Sequence, residues 1–246
     1  MMLDTPSPLA PLVRKLLLHA SLDEQDQKAI LALPHAARQV EAGRYIVREG
    51  DKPTHCCLVV TGFAIRHKLV EGGGRQIVNI HLAGDMVDLQ NSLLAVADHN
   101  VQTLTRTQAA FIPREALIEL AFDRPAVGKA LWLETLVEAS IAREWIANVG
   151  RRDARARIAH LLCEFAYRLN AVGLGEKSDY QLPMTQEQLA DTVGLTSVHV
   201  NRTLKALDAD GLTTRSNRAI TINDWKRMAE AADFRSTYLH LPQEAL

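Results

Sequence analysis

Residues 184–210 read M-T-Q-E-Q-L-A-D-T-V-G-L-T-S-V-H-V-N-R-T-L-K-A-L-D-A-D. The pattern predicts two short helices joined by a tight turn. Thr185 opens the first with a capping box, because Gln188 stands three residues on and can bond back to the chain. Leu189 and Val193 lie one turn apart on one face, and Ala190 is small where a second helix must come close. Gly194 ends the helix, as a residue free to take positive φ does. Thr196 can cap the second helix. There Val200, Leu204 and Leu207 recur at helical spacing and face inward, while Ser197, His199, Asn201, Arg202 and Lys205 fall toward the open side. A short helix, a glycine turn and a second helix with a polar outer face is the helix-turn-helix pattern. An αα-hairpin inside a helical core reads the same way, so the flanking sequence has to decide.

Downstream, G-L-T-T-R-S-N-R-A-I-T-I reads as two strands, Leu212 to Arg215 and Ala219 to Ile222, turning at Ser216-Asn217. That is a small wing. Asn223 or Asp224 caps a last short helix through Trp225 and Met228, and beyond about Phe234 the tail is unpatterned. Upstream, Tyr180 to Leu182 can form a short strand after a polar loop holding Gly173 and Gly175. Before it, residues 151–169 form an amphipathic helix with Ile158, Leu161, Leu162, Phe165 and Leu169 inward and Asp153 suiting the dipole at its start.

Pro125 starts a long helix to about Val149, which Gly150 breaks. Ala130, Leu133, Val137, Ile141 and Glu144 define one line, with Val127, Leu131 and Ala142 beside it; Trp132, Leu136, Ala139 and Trp145/Ile146 add further apolar surface. A lone surface helix needs one buried face. One that is apolar on two sides is either buried within its domain or packed on its own sheet on one side and on a partner on the other, and the second suits a two-fold dimer.

From about Ala36 to Ile112, short runs rich in Val, Ile and Leu (around residues 44–47, 56–60, 63–70, 76–82, 101–105 and 109–112) are broken by glycine-bearing turns. This predicts an antiparallel β-sandwich or barrel. Along Ile77 to Leu82, alternation sends Ile77, Asn79 and His81 one way and Val78, Ile80 and Leu82 to the core. The triple glycine 72–74 is a hairpin tip, since it lacks the Lys-Ser/Thr of a phosphate loop. Pro113 begins a short helical turn. Ahead of the strands, residues 9–33 look helical, with Ser21 and Glu24 as a second capping box.

Composition constrains the rest. With 246 residues, 47% of them apolar, the chain can bury an ample core. A net charge of −1 gives no general attraction to nucleic acid, so DNA affinity must come from a local patch. Arg151, Arg152, Arg155 and Arg157 precede the motif, and Arg202, Lys205, Arg215 and Arg218 sit in or after it. Three cysteines without C-x-x-C spacing fit a reducing compartment and support neither zinc finger nor iron–sulfur cluster. The start M-M-L-D-T-P-S-P-L-A lacks the basic and apolar regions of a secretion signal, and no apolar stretch approaches a membrane span. A cytoplasmic location is expected.

At this point the chain resembles the Crp/Fnr family of bacterial transcription regulators over nearly its whole length. The carriers are E-A-G-R-Y-I-V-R-E-G-D, V-V-T-G and H-L-A-G-D, the long helix, V-G-R-R-D-A-R-A-R-I-A, and M-T-Q-E-Q-L-A-D-T-V-G-L-T-S-V-H-V-N-R-T-L-K-A-L. The resemblance implies an α+β chain: an N-terminal antiparallel β-roll (jelly-roll-like) for an effector over 1–124, a long dimerisation helix over 125–150, and a C-terminal winged helix-turn-helix over 151–246. It implies double-stranded DNA, a second copy of the chain and RNA polymerase as partners, with no membrane and no catalysis. By position, Arg202 matches the recognition-helix arginine that reads guanine. Ser197 and His199 lie where members contact bases and phosphates, and Thr185, Gln186 and Thr196 resemble phosphate-contacting or capping positions. Asn201, Lys205 and Arg218 complete the expected DNA face. The chain departs from the best-known members at Val198, where they carry a glutamate that reads cytosine; a valine can touch a thymine methyl instead.

The effector is less legible. Members that bind cyclic AMP use a glycine–glutamate pair and then an arginine–serine or arginine–threonine pair. Gly84-Asp85 partly matches the first, and the second falls near Asp98-His99-Asn100, without an arginine. Gly84, Asp85, His99 and Asn100 are therefore the candidate effector pocket. An anionic cyclic phosphate there would be poorly held, so a cyclic nucleotide is disfavoured. Oxygen-sensing members carry an N-terminal cysteine cluster, and no cysteine precedes Cys56 here. His67, His81, His99 and Cys56/Cys57 are haem-ligand types, but a lone strand histidine is more often structural. No cofactor is expected. Two competing classes stay open. One is a cupin-type enzyme, which needs clustered histidines that His81 lacks. The other is a winged helix that binds protein.

Overall fold

A computed structural model of the chain describes residues 7–242. The expectation that no secretion signal stands at the start falls, for residues 1–6, outside that range. The described residues divide into two compact units. One runs to Lys68 and resumes over Ile80–Leu136; the other holds Leu69–Asn79 and the residues from Val137 on.

In the first unit, α1 (Ala10–Leu16) and α2 (Glu24–Leu31) precede the roll. The cap of α2 differs from the expected Ser21–Glu24 box: Asp23 is the cap and Asp26 its partner, with Asp26 N donating to Asp23 Oδ1 at 2.8 Å. A carboxylate at this position accepts from the first turn and suits the positive end of the helix dipole.

The roll strands are β1 (Ala36–Val40), β2 (Tyr45–Val47), β3 (His55–Thr61), β4 (Ala64–Leu69), β5 (Arg75–His81), β6 (Asn100–Thr103) and β7 (Thr107–Pro113). They form two sheets, ordered β1-β7-β3 and β2-β6-β4-β5. The pairs β1–β7, β3–β7, β2–β6 and β4–β6 are antiparallel, as the residue pattern predicts. Strand alternation on β3 builds two cores at once. Cys56, Leu58 and Val60 join α1, α2, α3 (Arg114–Asp123) and the start of α4 (Pro125–Arg151) in one cluster. Cys57 and Val59 face the roll interior with Val47, Val101 and Ala109. The adjacent cysteines thus point into opposite cores. Burial pushes the Cys56 thiol up to about 12, with Asp88 adding to the effect.

The alternation expected for residues 77–82 is corrected. Ile77, Asn79 and His81 are as buried as Ile80 and Leu82, and Val78 is only half-buried. Asn79 Nδ2 donates to Glu138 Oε1 at 2.8 Å, and His81 Nδ1 lies 3.9 Å from Asp85 Oδ2. A strand covered on both faces loses its polar-out signal when the covered polar groups find partners.

The second unit contains the tip of the β4–β5 hairpin. Arg75 Nε donates to Asp191 Oδ2 at 2.7 Å, and Gln76 Nε2 to the Thr192 carbonyl at 2.9 Å. Gly150 does not break α4, which runs through it to Arg151; the break is at Asp153, whose carboxylate caps α5 (Ala154–Ala171). Then follow β8 (Asp179–Gln181), α6 (Gln186–Val193), α7 (Ser197–Ala209), β9 (Thr213–Ser216), β10 (Ala219–Ile222) and α8 (Trp225–Ala232).

The segment after Phe234 is not patternless. A 3₁₀ turn, Ser236–Leu239, buries Leu239 and brings Tyr238 OH within 2.7 Å of Glu164 Oε2. Glu164 is 1% exposed and also accepts from Trp145 Nε1 at 2.9 Å. Trp145, expected beside Ile146 on a second apolar surface, is therefore buried on α5. A buried carboxylate is tolerated because hydrogen-bond donors surround it; this one joins α4, α5 and the tail within the unit.

Candidate nucleic-acid interface

The 184–210 stretch folds as its local chemistry predicts. Thr185 Oγ1 accepts from Gln188 N at 3.2 Å, and Thr185 N donates to Gln188 Oε1 at 2.8 Å, which closes the capping box. Gly194 ends α6 at φ 66°. Its missing Cβ also matters sterically, since one would meet Val149 Cγ1 at 3.2 Å. Thr196 caps α7, accepting from His199 N at 3.2 Å. Val200, Leu204 and Leu207 are buried, which fixes the rotation of α7 against its neighbours.

That rotation exposes the other face. Thr185, Gln186, Thr196, Ser197, Arg202 and Lys205 are exposed, and His199 and Asn201 half-buried. Val198 is 79% exposed, an apolar side chain standing in solvent on an otherwise polar helix face. Positions 198, 201/202 and 205 form one stripe at helical spacing. Asn201 Nδ2 donates to Gln186 Oε1 at 3.0 Å, so the first residue of α6 is tied to the middle of this stripe.

The wing is a three-stranded sheet ordered β8-β10-β9. Asn217 makes its turn at φ 54°, and Arg218 is exposed beside it. Asp208, near the end of α7, binds Thr213 Oγ1 at 2.6 Å and Arg215 Nη2 at 2.6 Å, joining α7 to β9. The expected basic patch is thus narrower than the sequence suggests. Arg215 is held by Asp208 and Arg155 by Asp210. Arg152 pairs with Glu144 and Asp233, and Arg157 donates to the Arg152 and Val193 carbonyls. An arginine engaged by a carboxylate of its own chain adds little positive potential. Arg151, Arg202, Lys205 and Arg218 remain exposed.

The four candidate effector residues have other work. A Cβ on Gly84 (φ 98°) would meet the Pro11 carbonyl oxygen at 2.9 Å, so α1 lies against this turn. Asp85 pairs with Lys15 Nζ at 3.1 Å and accepts from Leu82 N at 3.1 Å. His99 Nδ1 lies 2.6 Å from Asp98 Oδ1, which holds the Asp98 carboxyl below its usual range, and Asn100 Oδ1 accepts from Glu49 N at 3.2 Å. A cavity of about 330 Å³ opens among Ile46, Asp51, Thr54, His55, Asp88 and Phe111, and one of about 230 Å³ among Leu89, Leu93, Leu117, Phe122, Leu131 and Trp132. None of the four lines either cavity. Among the described residues, no group of three or more His, Cys, Asp or Glu is placed to hold a metal ion, and no helix is long and apolar enough to cross a membrane.

Comparison with known proteins agrees with both halves. Residues 156–231 match the family model of the Crp-like helix-turn-helix domain, and residues 37–124 that of the cyclic nucleotide-binding domain. The transcriptional activator protein FnrL of Cereibacter sphaeroides is 34% identical over 199 residues, 79% of either chain. The nitrogen fixation regulation protein FixK of Bradyrhizobium diazoefficiens is 29% identical over 214 residues, 84% of this chain and 87% of that one. Among solved structures, FixK2 from Bradyrhizobium japonicum superposes with a TM-score of 0.75 at 26% identity, covering 81% of this chain and 98% of that one.

Proposed function

The chain belongs to the Crp/Fnr family of DNA-binding transcriptional regulators, and from that premise we propose that two copies pair along α4 and read a two-fold-symmetric operator with α7. The functional segments of this reading are the roll and its flanking helices over 1–124, the pairing helix over 125–150, and the reader over 151–246. The observation that carries it is the exposed stripe of α7, which presents Val198, Asn201, Arg202 and Lys205 together while its other face is locked into the core. Two such helices about 34 Å apart enter successive major grooves.

Within the stripe Arg202 reads guanine. Its planar fork matches O6 and N7 with two parallel bonds, which a lysine in its place would not make. Val198 rests on a thymine methyl, so the half-site differs from one read by glutamate at that position. Ser197, His199, Lys205 and Arg218 meet phosphates or groove edges, and Thr185 and Thr196 hold the helix starts. Pairing uses the apolar surface of α4 that its own chain leaves open: Trp132 is 68% and Ile146 73% exposed, and Leu136 and Ala139 lie between them at spacings of four, three and seven. RNA polymerase is the second macromolecular partner of a regulator so placed, and the interior of the cell its location.

The roll is the input half of this reading, without a chemical class for its signal. A cyclic phosphate does not fit the residues present: positions 98–100 offer a carboxylate and no guanidinium, and Arg66 donates instead to the Val87 carbonyl at 2.6 Å. Binding of a selected duplex by wild type and Arg202→Ala tests the reading. The variant is expected to lose about 1–3 kcal/mol per half-site and its guanine preference. Unchanged affinity and preference would remove Arg202 from the interface.

A further inference from the structure

We infer that Asn201 is a second base-reading residue, selecting adenine, and that Gln186 is the positioning residue that holds its amide ready. The inference rests on α7 being the DNA reader and goes beyond it by assigning a base. Asn201 lies one turn past Val198 and next to Arg202, on the stripe that faces outward. Its Nδ2 gives one hydrogen to Gln186 Oε1 at 3.0 Å. An asparagine amide has two donor hydrogens and an acceptor oxygen. The bond to Gln186 therefore leaves one N–H and the Oδ1, side by side and in a fixed order.

In the major groove that pair has one bidentate match. Adenine offers an N7 acceptor beside an N6 donor; guanine offers two acceptors, cytosine an N4 donor, and thymine an acceptor next to a methyl group. An amide free to rotate could present its two ends either way round. The Gln186 bond restrains that rotation, and a phosphate drawing the Gln186 Nε2 hydrogens keeps Gln186 Oε1 toward Asn201, which sets the order as the protein docks and removes part of the ordering cost of reading. Gln186 stands exposed at the first turn of α6, with both hydrogens of its own amide left for a phosphate oxygen. A residue that touches phosphate and holds a base reader couples the register of the protein on the duplex to the reading of sequence. With Val198 on thymine and Arg202 on guanine, the half-site then contains one thymine, one adenine and one guanine recognised by three neighbouring side chains.

The test selects bound sequences from a random duplex pool with wild type, Asn201→Ala, Gln186→Ala and Arg202→Ala, each first checked for an unchanged melting curve. Wild type is expected to enrich a motif holding an A·T pair that Asn201→Ala alone relaxes, at about 5- to 150-fold in discrimination, while the guanine read by Arg202 stays selected. Replacing that adenine with 7-deazaadenine removes the N7 acceptor and should weaken wild type but leave Asn201→Ala unchanged. Gln186→Ala should lower the ratio between the adenine site and its substituted form, as well as affinity. A motif unchanged in Asn201→Ala, with affinity lowered equally for all sequences, would overturn the adenine assignment while leaving Arg202 as a reader. A Gln186→Ala variant with uniform loss and intact discrimination would overturn the positioning role. If wild type enriches no motif at all, DNA reading by α7 fails, and this assignment with it.

Discussion

Arg202 and Arg215 carry the same guanidinium thirteen positions apart, roughly one length of α7, yet one stands exposed and the other is held by Asp208 at 2.6 Å. Nothing in the neighbouring residues of either announces the difference, because Asp208 reaches Arg215 only once the wing has turned back. Gly194 is the opposite case. Its role is visible in the sequence, since a helix ending in a left-handed residue favours glycine. Gly194→Ala forces a side chain into φ 66° and toward Val149, and is expected to lower unfolding free energy by about 1–2 kcal/mol in urea titration. A variant as stable as wild type would show that the turn accepts another backbone geometry.

At the scale of elements, caps and periodicity locate α6 and α7 almost residue for residue, because both signals act within one turn. β1 is the contrary example. Its A-A-R-Q-V is mostly exposed and lacks an apolar alternation, and it becomes a strand through its register with β7, from Ala36 opposite Phe111 to Val40 opposite Thr107. On α4 the residue pattern shows two apolar surfaces but assigns Trp145 to the wrong one; the buried Glu164 draws the indole inward and leaves Ile146 outside. If Trp132 and Ile146 cover a second copy, replacing both with glutamate places charges in that seam. Sedimentation should then report monomers where wild type sediments as a dimer, with affinity for a two-half-site operator falling and affinity for a single half-site kept. A dimeric double variant would move the pairing surface elsewhere.

The whole second unit is tied together by its buried polar cluster, and this makes its stability sensitive to acid. His160 is 1% exposed, its Nε2 lies 3.1 Å from Tyr238 OH, and burial holds its pKa below the ordinary value; Arg152 works in the same direction, against Glu164 and Glu144. The unfolded chain takes up a proton near pH 6.5 while the folded chain does not. Below about pH 6.5 the unfolded state therefore binds more protons, and stability falls as pH is lowered toward the folded-state value. The urea midpoint should drop between pH 7.5 and pH 5.5, and drop less in His160→Gln. An equal drop in both would place the acid sensitivity in other groups.

Features that depend on near neighbours are already written into the chain. The residue pattern specifies the Thr185–Gln188 capping box and the Thr196 cap of the reader region, the glycine turn between them, the order roll, helix and winged reader, and through them the family. Tertiary structure decided which polar groups are spoken for. Gln186 meets Asn201 across 15 residues and Tyr238 meets Glu164 across 74, while Lys15 takes Asp85 from the expected effector pocket. Local rules act through backbone geometry over three or four residues, whereas a buried or paired charge is settled by whichever opposite group the fold delivers to it. That is why the reader's scaffold was legible from residues 184–210, and why the free arginine, the held asparagine and the occupied candidate pocket were not.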